Sequence, residues 1–290
     1  MQLALFDGYR LGVVQGDTVV DVTDALPWPH DRDAVTAGWW RRLCRDFTVV
    51  RDDLVAAADG GRQIPLSKVR LRAPVLNPSK IVASASNYSD HVAEMHGVQE
   101  RTLGRVEPWM MKFDVFLKAP SSISGPADAI VLPRSVIDAG EEIHHESELV
   151  VVIGKGGKNI SRDDALAHVF GYTLGLDITV RSAADRSRRK SYDTFSPIGP
   201  WITVADRTVD PSAFEIQLSV NGVQRQKVTT SQLITPVPDI VSYASSVMSL
   251  LPGDVIFTGA PPGVGPIEPG DQIDTRISGI GDMQLSVLSG

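Results

Sequence analysis

Short apolar runs rich in β-branched residues recur along the chain and constrain its fold more than any other feature. Examples are Leu149–Ile153, Ile216–Val220 and Val255–Thr258. Runs of this length and composition are typical of strands, and Asn221-Gly222 directly after one of them is a strong hairpin signal. Helical patterns are fewer, and no repeat of fixed period is present. The sequence therefore predicts an α+β fold that is mainly β.

The first part of the chain has a different pattern. After several strand-like runs, apolar residues at helical spacing predict a helix from Arg32 to about Phe47 and a second, short helix over Asp52–Ala58. A proline-containing connector follows. We therefore expect a small N-terminal α+β domain over residues 1–72 and a larger domain over residues 73–290.

The composition excludes several broad classes of protein. The chain has 290 residues, and 28 Lys and Arg against 35 Asp and Glu give a net charge of −7, which argues against nucleic-acid or membrane-surface binding. The chain has no apolar run long enough to span a bilayer, and Asp7 and Arg10 interrupt the N-terminus too early for a secretory signal. A single cysteine, Cys44, allows no internal disulfide. We expect a cytoplasmic protein that binds neither nucleic acid nor membrane.

Three carboxylates stand where apolar residues are expected. Glu146 and Glu148 are two residues apart at the start of an apolar strand, so strand periodicity points both to one face, and Asp177 lies inside another apolar run. Buried acids need a compensating charge, and a hard divalent cation with oxygen ligands is the simplest source. The alternative is that Glu146 lies in water before the strand and Asp177 caps a turn.

His91 and Glu94 form a second pair of interest. At helical spacing they share a face, so the carboxylate can orient the imidazole and make it a general base near neutral pH. The alternative is an incidental pair on an exposed helix turn.

Three cations lie near these patterns. Lys190 and Lys118 adjoin apolar runs, and Arg181 follows Asp177 by four residues. Each can bind a substrate carboxylate or stabilise an oxyanion. The alternative for the lysines is that they extend to the surface, and for Arg181 that it is a surface residue in the basic stretch that ends at Lys190.

Taken together and in this order, the motifs resemble the fumarylacetoacetate hydrolase superfamily, and the resemblance spans about residues 78–290. The motifs are Asn87-Tyr88-x-x-His91-x-x-Glu94-Met95, Phe116-Leu117-Lys118, Glu146-x-Glu148-Leu149, Gly171-Tyr172-Thr173 with Asp177, Lys190-Ser191-x-Asp193-Thr194-Phe195-x-Pro197-x-Gly199-Pro200, Val220-Asn221-Gly222 and Pro252-Gly253-Asp254-Val255-Ile256-x-Thr258-Gly259.

This resemblance implies a mixed β-sandwich roll, usually a homodimer, that holds Mg²⁺ or Mn²⁺, with Ca²⁺ a further option. It implies that the metal ligands are Glu146, Glu148 and Asp177. It also implies that His91, oriented by Glu94 on a lid over the substrate, activates a water molecule and that Lys190 holds the developing oxyanion. The residues that we expect to contact the substrate are Arg181, Lys118, Thr258 and Gly259.

The implied activity is hydrolysis of a carbon–carbon bond in a 2,4-dioxo acid, an acylpyruvate such as fumarylpyruvate from aromatic catabolism. Decarboxylation, isomerisation or hydration of a 2-oxo diacid uses the same metal chemistry and is the alternative. A non-catalytic module that binds a 2-oxo acid is a third reading. The sequence departs from the family in three ways: Ala184 stands where many hydrolytic members have Gln, Ala260 where Thr is usual, and the segment from Asp177 to Lys190 is shorter.

Overall fold

The structure, a computed structural model, describes residues 1–36, 38–106 and 108–290. These residues form twenty strands and five helices, besides short 3₁₀ turns, so the fold is α+β and mainly β, as predicted. The elements before residue 73 are β1 (Gln2–Phe6), β2 (Arg10–Gln15), β3 (Thr18–Asp21), α1 (Gly38–Gly60), β4 (Gln63–Pro65) and β5 (Leu71–Arg72).

The remaining elements follow in chain order. Up to residue 153 they are β6 (Ile81–Ala85), α2 (Ser89–Leu103), β7 (Asp114–Lys118), β8 (Ile123–Ser124), β9 (Ile130–Leu132), α3 (Arg134–Asp138), β10 (Ile143–His145) and β11 (Ser147–Ile153). After it they are β12 (Val169–Leu176), β13 (Thr179–Val180), α4 (Arg186–Arg189), β14 (Ser196–Val204), β15 (Glu215–Val220), β16 (Val223–Thr229), α5 (Val237–Val247), β17 (Val255–Phe257), β18 (Gly265–Pro266), β19 (Gln272–Ile277) and β20 (Gly281–Ser289).

One large sheet runs through the molecule in the order β4-β3-β2-β1-β14-β12-β11-β17-β6-β7. A second sheet has the order β16-β15-β19-β20-β9, and a small third sheet has the order β13-β10-β18. In the large sheet β12 and β17 both run antiparallel to β11, whereas β17 and β6 are parallel. The carboxyl ends of β12, β17 and β6 therefore meet the start of β11 at one edge of the sheet.

The central strands are buried on both faces, which explains their continuous apolar runs. In β11, Leu149, Val151 and Ile153 belong to a core that includes residues of the second sheet, such as Ile216 and Ile273. Val150 and Val152 of the same strand point to a second core, which includes residues of α1. Alternate side chains of one strand thus supply two cores, as strand periodicity requires.

The predicted helices of the N-terminal segment differ from the observed ones in their bounds. Two helical stretches meet within α1 at Asp46, where the backbone leaves helical geometry with φ −104° and ψ 18°. Helix α1 begins at Gly38, later than the predicted Arg32, and Ala37 lies outside the described residues. The interruption therefore falls within the first predicted helix, and Asp52–Ala58 continues α1. Apolar spacing did not reveal this because both halves bury the same face.

The N-terminal segment extends the large sheet. Strand β1 pairs with β14, with Leu3 opposite Ile202, and β2, β3 and β4 follow outward from it. The division into residues 1–72 and 73–290 remains a proposal, and in that division the two parts share a sheet. No helix within the described residues has the length and apolar character to cross a membrane.

Candidate metal centre and active site

The register of two neighbouring strands brings the three predicted acids together. Ser147 of β11 lies opposite Leu176 of β12, so Glu146 and Asp177, the next residues outward, also face each other. The Asp177 amide donates to the Glu146 carbonyl at 2.8 Å. Glu148 lies opposite Gly175, and one carboxylate oxygen from each acid lies within 4.8 Å of the others. The three acids therefore form a single cluster.

This cluster is removed from solvent. Glu146 is 3% exposed, Glu148 is fully buried and Asp177 is 1% exposed. Glu146 does lie before the strand, as the sequence alternative supposed, but it does not lie in water. Three carboxylates buried this closely repel one another unless cations neutralise them.

Three cations reach the cluster, all from positions that the sequence had singled out. The Lys190 ammonium lies 2.8 Å from Glu146 Oε2 and 2.6 Å from Asp177 Oδ2. The Lys118 ammonium lies 2.6 Å from the other Asp177 oxygen and donates to the Phe195 carbonyl at 2.8 Å. Arg181 Nη2 donates to Glu146 Oε1 at 2.5 Å. All three are buried, so the alternative of surface cations is wrong.

Glu148 is the incompletely paired member of the cluster. Its Oε2 accepts the Gly259 amide at 2.6 Å, whereas its Oε1 is buried without a hydrogen-bond partner. Burial, with the charges of Asp177 and Glu146, holds the pKa of Glu148 well above its usual range. A buried acceptor without a donor is costly. Oxygen donors grouped around such an atom fit a hard divalent cation, which would supply the missing partner.

Glu146 behaves differently because cations surround it. Burial on its own raises the pKa of a carboxyl, but the charges of Lys190 and Arg181 outweigh burial and hold the pKa of Glu146 well below its usual range. Glu146 is therefore ionised whether or not a metal is bound.

The structure also forms the predicted His91–Glu94 pair. His91 is 6% exposed and its Nδ1 lies 3.4 Å from Glu94 Oε2. Glu94 in turn accepts the Gly263 amide, at 3.2 Å and 3.1 Å from its two oxygens. Gly263 has a φ of +89°, and a Cβ there would lie 2.0 Å from the Arg225 carbonyl oxygen, so only glycine fits. The loop after β17 therefore holds Glu94, and Glu94 holds the ring of His91.

The first residues of that loop, Thr258 and Gly259, form hydrogen bonds inside the protein. Thr258 Oγ1 donates to the Leu149 carbonyl at 3.0 Å, and the Gly259 amide is the donor to Glu148. Asn87 fixes the loop from the other side, since its Nδ2 donates to the Thr258 carbonyl at 2.7 Å. The predicted contact of Thr258 and Gly259 with substrate stays a prediction.

A small cleft opens onto these groups, and among the residues that line it are His91, Glu146, Arg181 and Lys190. Sequence reasoning missed two further cations in its wall, Arg186 and Arg189 of α4. The short basic stretch before Lys190 contains both arginines and could have indicated them, but its composition is also typical of a solvated surface. Ala260, which replaces the usual Thr, also lines the cleft.

Two histidines next to the cluster are not part of it. His144 and His145 are each 1% exposed, and burial lowers the pKa of each to about 4. His144 Nε2 lies 2.8 Å from Glu142 Oε2. Within the described residues, the group of possible metal ligands at this site consists of carboxylates alone, as an oxygen-ligand site requires.

The family model for the C-terminal domain of fumarylacetoacetate hydrolase matches residues 80–288, a range that contains every site residue described above. The chain belongs to the fumarylacetoacetate hydrolase family. Family membership confirms the resemblance drawn from the motifs, together with the predicted fold.

Two relatives within the family are similar over their full lengths. Maleylpyruvate hydrolase of Aquipseudomonas alcaligenes is 38% identical, with all of both chains covered. The crystal structure of maleylpyruvate hydrolase from Sphingobium sp. SYK-6, in complex with manganese(II) and pyruvate, is 42% identical with a TM-score of 0.86 over all of both chains.

A family member named for a different reaction is also similar. The crystal structure of 2-hydroxyhepta-2,4-diene-1,7-dioate isomerase from Mycobacterium marinum is 32% identical with a TM-score of 0.72, and 100% of this chain and 98% of that chain are covered. The chain is therefore that of a family enzyme with a buried carboxylate cluster able to hold a divalent metal.

Proposed function

We propose that the protein is a divalent-metal-dependent hydrolase that cleaves a carbon–carbon bond in a 2,4-dioxo acid, such as fumarylpyruvate or its cis isomer maleylpyruvate. The observation that carries the proposal is one cleft lined by both Glu146 of the acidic cluster and His91 of the His91–Glu94 pair. The similarity to two maleylpyruvate hydrolases supports it.

Glu146, Glu148 and Asp177 would hold Mg²⁺ or Mn²⁺. When bound, the ion supplies Lewis-acid chemistry at the 2-oxo-carboxylate end of the substrate. The manganese in the similar crystal structure supports this choice of metal. Lys190 already bridges two of the three acids, at 2.8 Å and 2.6 Å, so its ammonium would lie beside a bound ion.

His91 acts as the general base. Its Nδ1 faces Glu94, which leaves Nε2 to take a proton from a water molecule. The water oxygen forms a bond to carbonyl carbon C4, and the bond between C3 and C4 then breaks. Its electron pair stays with the pyruvyl fragment, which becomes pyruvate when C3 takes up a proton, and the other fragment leaves as a carboxylic acid. Glu94 stabilises the imidazolium formed on the way.

The cations hold negative charge. The Lys190 ammonium lies beside the cluster and in the wall of the cleft, where it can stabilise the oxyanion that forms when water adds to C4. Arg181, which lines the same cleft, would bind a substrate carboxylate. Lys118, which the sequence also suggested for that role, is buried and pairs with Asp177 instead.

A substrate panel with Mg²⁺ or Mn²⁺ tests the proposal. Release of pyruvate plus a second acid from an acylpyruvate supports hydrolysis. Release of CO₂ from oxaloacetate, or an absorbance change without cleavage, indicates decarboxylation or isomerisation instead, and the similarity to an isomerase of Mycobacterium marinum makes the latter the second candidate. Tight binding of oxalate with no turnover of any compound would indicate a binding module.

We further propose that the enzyme acts in the cytoplasm on this small-molecule substrate, in aromatic catabolism, as a homodimer. Sedimentation equilibrium tests the assembly, and a mass of one chain would contradict it.

A further inference from the structure

Helix α4 places two arginines in the cleft that the proposed chemistry does not use. Arg186 and Arg189 both line it, and Arg189 is 7% exposed. Arg188, between them, points outward and is exposed. Since residues three apart share a face of a helix, the spacing of Arg186 and Arg189 directs both guanidinium groups to one side.

Arg189 has few partners among the described residues. Its Nε is buried without a hydrogen-bond partner, and its Nη1 donates only a long bond, 3.4 Å, to the Ser182 carbonyl. No carboxylate of the described residues forms an ion pair with it within 4.0 Å. Burial, with the charges of Arg181 and Arg186, lowers the pKa of Arg189 to about 10. The Arg189 guanidinium is thus a buried hydrogen-bond donor group that the neighbouring charges of Arg181 and Arg186 repel.

Arginine and lysine side chains crowd this wall of the cleft. Arg181 and Lys190 pair with acids of the cluster, and the charge of Asp114 acts on Arg186. Arg189 differs, because its buried Nε keeps a donor without an acceptor. A ligand carboxylate in the cleft would supply that acceptor.

The cleft wall formed by α2 is extended. His91, Met95 and Gln99, spaced by four residues on α2, all line it. They extend over two helical turns, about 12 Å at 1.5 Å per residue. A seven-carbon 2,4-dioxo diacid is no longer than this wall.

We propose that Arg186 and Arg189 bind the distal carboxylate of a dicarboxylic 2,4-dioxo acid, so that the enzyme selects diacids over monocarboxylic acylpyruvates. The inference rests on the proposed function, because it assigns the other carboxylate to the metal end. Guanidinium groups suit this role because their parallel donors match both oxygens of a carboxylate.

Binding to the Mn²⁺-loaded protein tests the subsite without turnover. The probes are 2-oxoheptanedioate and 2-oxoheptanoate, which differ in whether a carboxylate or a methyl group ends the chain, titrated by calorimetry. We expect the diacid to bind about 10- to 100-fold more tightly to the natural protein, the range for charge-assisted hydrogen bonds. Equal affinities for the two probes would overturn the proposal even if no variant folds.

Variants of α4 identify the residues responsible. Arg189→Gln and Arg186→Gln should each weaken diacid binding about tenfold or more and leave binding of 2-oxoheptanoate unchanged. The exposed Arg188→Gln is the matched control and should change neither. Arg189→Lys keeps the positive charge but loses the parallel donors of the guanidinium group. Its affinity for the diacid should lie between those of Arg189→Gln and the natural protein. Equal weakening of both probes in the two Gln variants would overturn the assignment.

Turnover separates this proposal from the proposed function. If the natural enzyme cleaves fumarylpyruvate or maleylpyruvate with a higher kcat/KM than acetylpyruvate, and Arg189→Gln removes that preference, both proposals are supported. If no acylpyruvate is cleaved but the diacid probe is still preferred, the proposed function is wrong and the carboxylate subsite stands.

Discussion

Two buried carboxylates, at the positions of two paired strands, differ in how completely their oxygens are hydrogen-bonded. Asp254 precedes β17 and Glu148 lies in β11, strands that pair with Val152 opposite Val255. Both acids are 0% exposed. Asp254 Oδ1 accepts from the amide and hydroxyl of Ser79, at 2.8 Å and 2.7 Å, and its Oδ2 accepts from Leu251 N at 2.9 Å and from the Lys80 ammonium at 2.6 Å. Glu148 has one donor and one bare oxygen.

The difference separates a structural acid from a functional one. Every oxygen of Asp254 is satisfied and one cation balances its charge, so it joins β6 to the turn before β17 and needs nothing further. Glu148 lies between two other acids and retains a bare acceptor, which a protein keeps only where something else binds. Burial of a carboxylate therefore does not by itself indicate a functional site. A functional site is indicated when the buried carboxylate lies among other acids and has an oxygen without a hydrogen-bond donor.

The largest expected effect comes from neutralising Glu148. We expect Glu148→Gln to lower Mn²⁺ affinity about 10⁴-fold, or ~5.5 kcal/mol, because the ion loses a charged ligand. The melting temperature of the metal-free protein should hardly change, since Gln keeps an oxygen for the Gly259 amide and removes a charge that burial, Asp177 and Glu146 destabilise, the causes that raise the pKa of Glu148. Calorimetric titration with Mn²⁺ measures the affinity. Asp254→Asn is the matched control and should bind Mn²⁺ with the affinity of the natural protein. Equal losses of Mn²⁺ affinity in both variants would contradict the assignment of Glu148 as functional and Asp254 as structural.

Removing the general base should come next. We expect His91→Gln to reduce kcat on an acylpyruvate about 10³-fold, within the range of general acid–base catalysis, with Mn²⁺ affinity unchanged. The exposed His96→Gln on the same helix is the control. Steady-state kinetics at saturating metal decide the matter, and a His91 variant with full activity would show that this imidazole does not activate water.

For Asp254, the structural acid, we expect a large effect on stability and none on metal binding. We expect Asp254→Asn to lower the free energy of unfolding by about 3 kcal/mol, because Lys80 loses the carboxylate with which it pairs and the surrounding donors lose a charged acceptor. Asp271 ends another Pro-Gly-Asp tripeptide, residues 269–271; it is more exposed, and its Oδ1 accepts from Asn221 Nδ2 at 2.7 Å. Asp271→Asn should therefore cost under about 1 kcal/mol. Urea unfolding of the metal-free protein compares them, and equal losses would contradict the account of Asp254.

The smallest expected effect is a pH dependence beside the cluster. Burial lowers the pKa of His144 and His145 to about 4, whereas in the unfolded chain it is about 6.5. The unfolded state therefore binds more protons between these values, and stability is lost as the pH falls from 6.5 towards 4. Between pH 6.5 and 5 each histidine should contribute a loss of about 2 kcal/mol. Unfolding curves across this range measure it, and His144→Gln should flatten the slope while His96→Gln leaves it intact.

Much of the site could be predicted from local sequence because its signals are local. Glu146 and Glu148 interrupt an apolar strand, His91 and Glu94 share a helix face, and strand periodicity states which side chains point together. The family motifs then tied these pairs to one another and to Lys190.

What the sequence could not provide depends on long-range pairing. The register that sets Ser147 opposite Leu176 decides that Glu146 meets Asp177, and no local pattern encodes it. The same holds for Arg186 and Arg189, whose basic stretch is that of a solvated turn until tertiary packing places it over the cleft. Thr258 and Gly259 illustrate a third limit, since a glycine-containing loop predicts a close approach but did not reveal that the Gly259 amide contacts Glu148.

Anomalous diffraction from crystals soaked in Mn²⁺ and oxalate tests the central claim, that three buried acids hold one divalent ion. We predict a single strong manganese peak in the cleft, bound by one oxygen from each of Glu146, Glu148 and Asp177, with oxalate completing the coordination. A peak that contacts none or only one of these carboxylates, or no peak at saturating Mn²⁺, would contradict it.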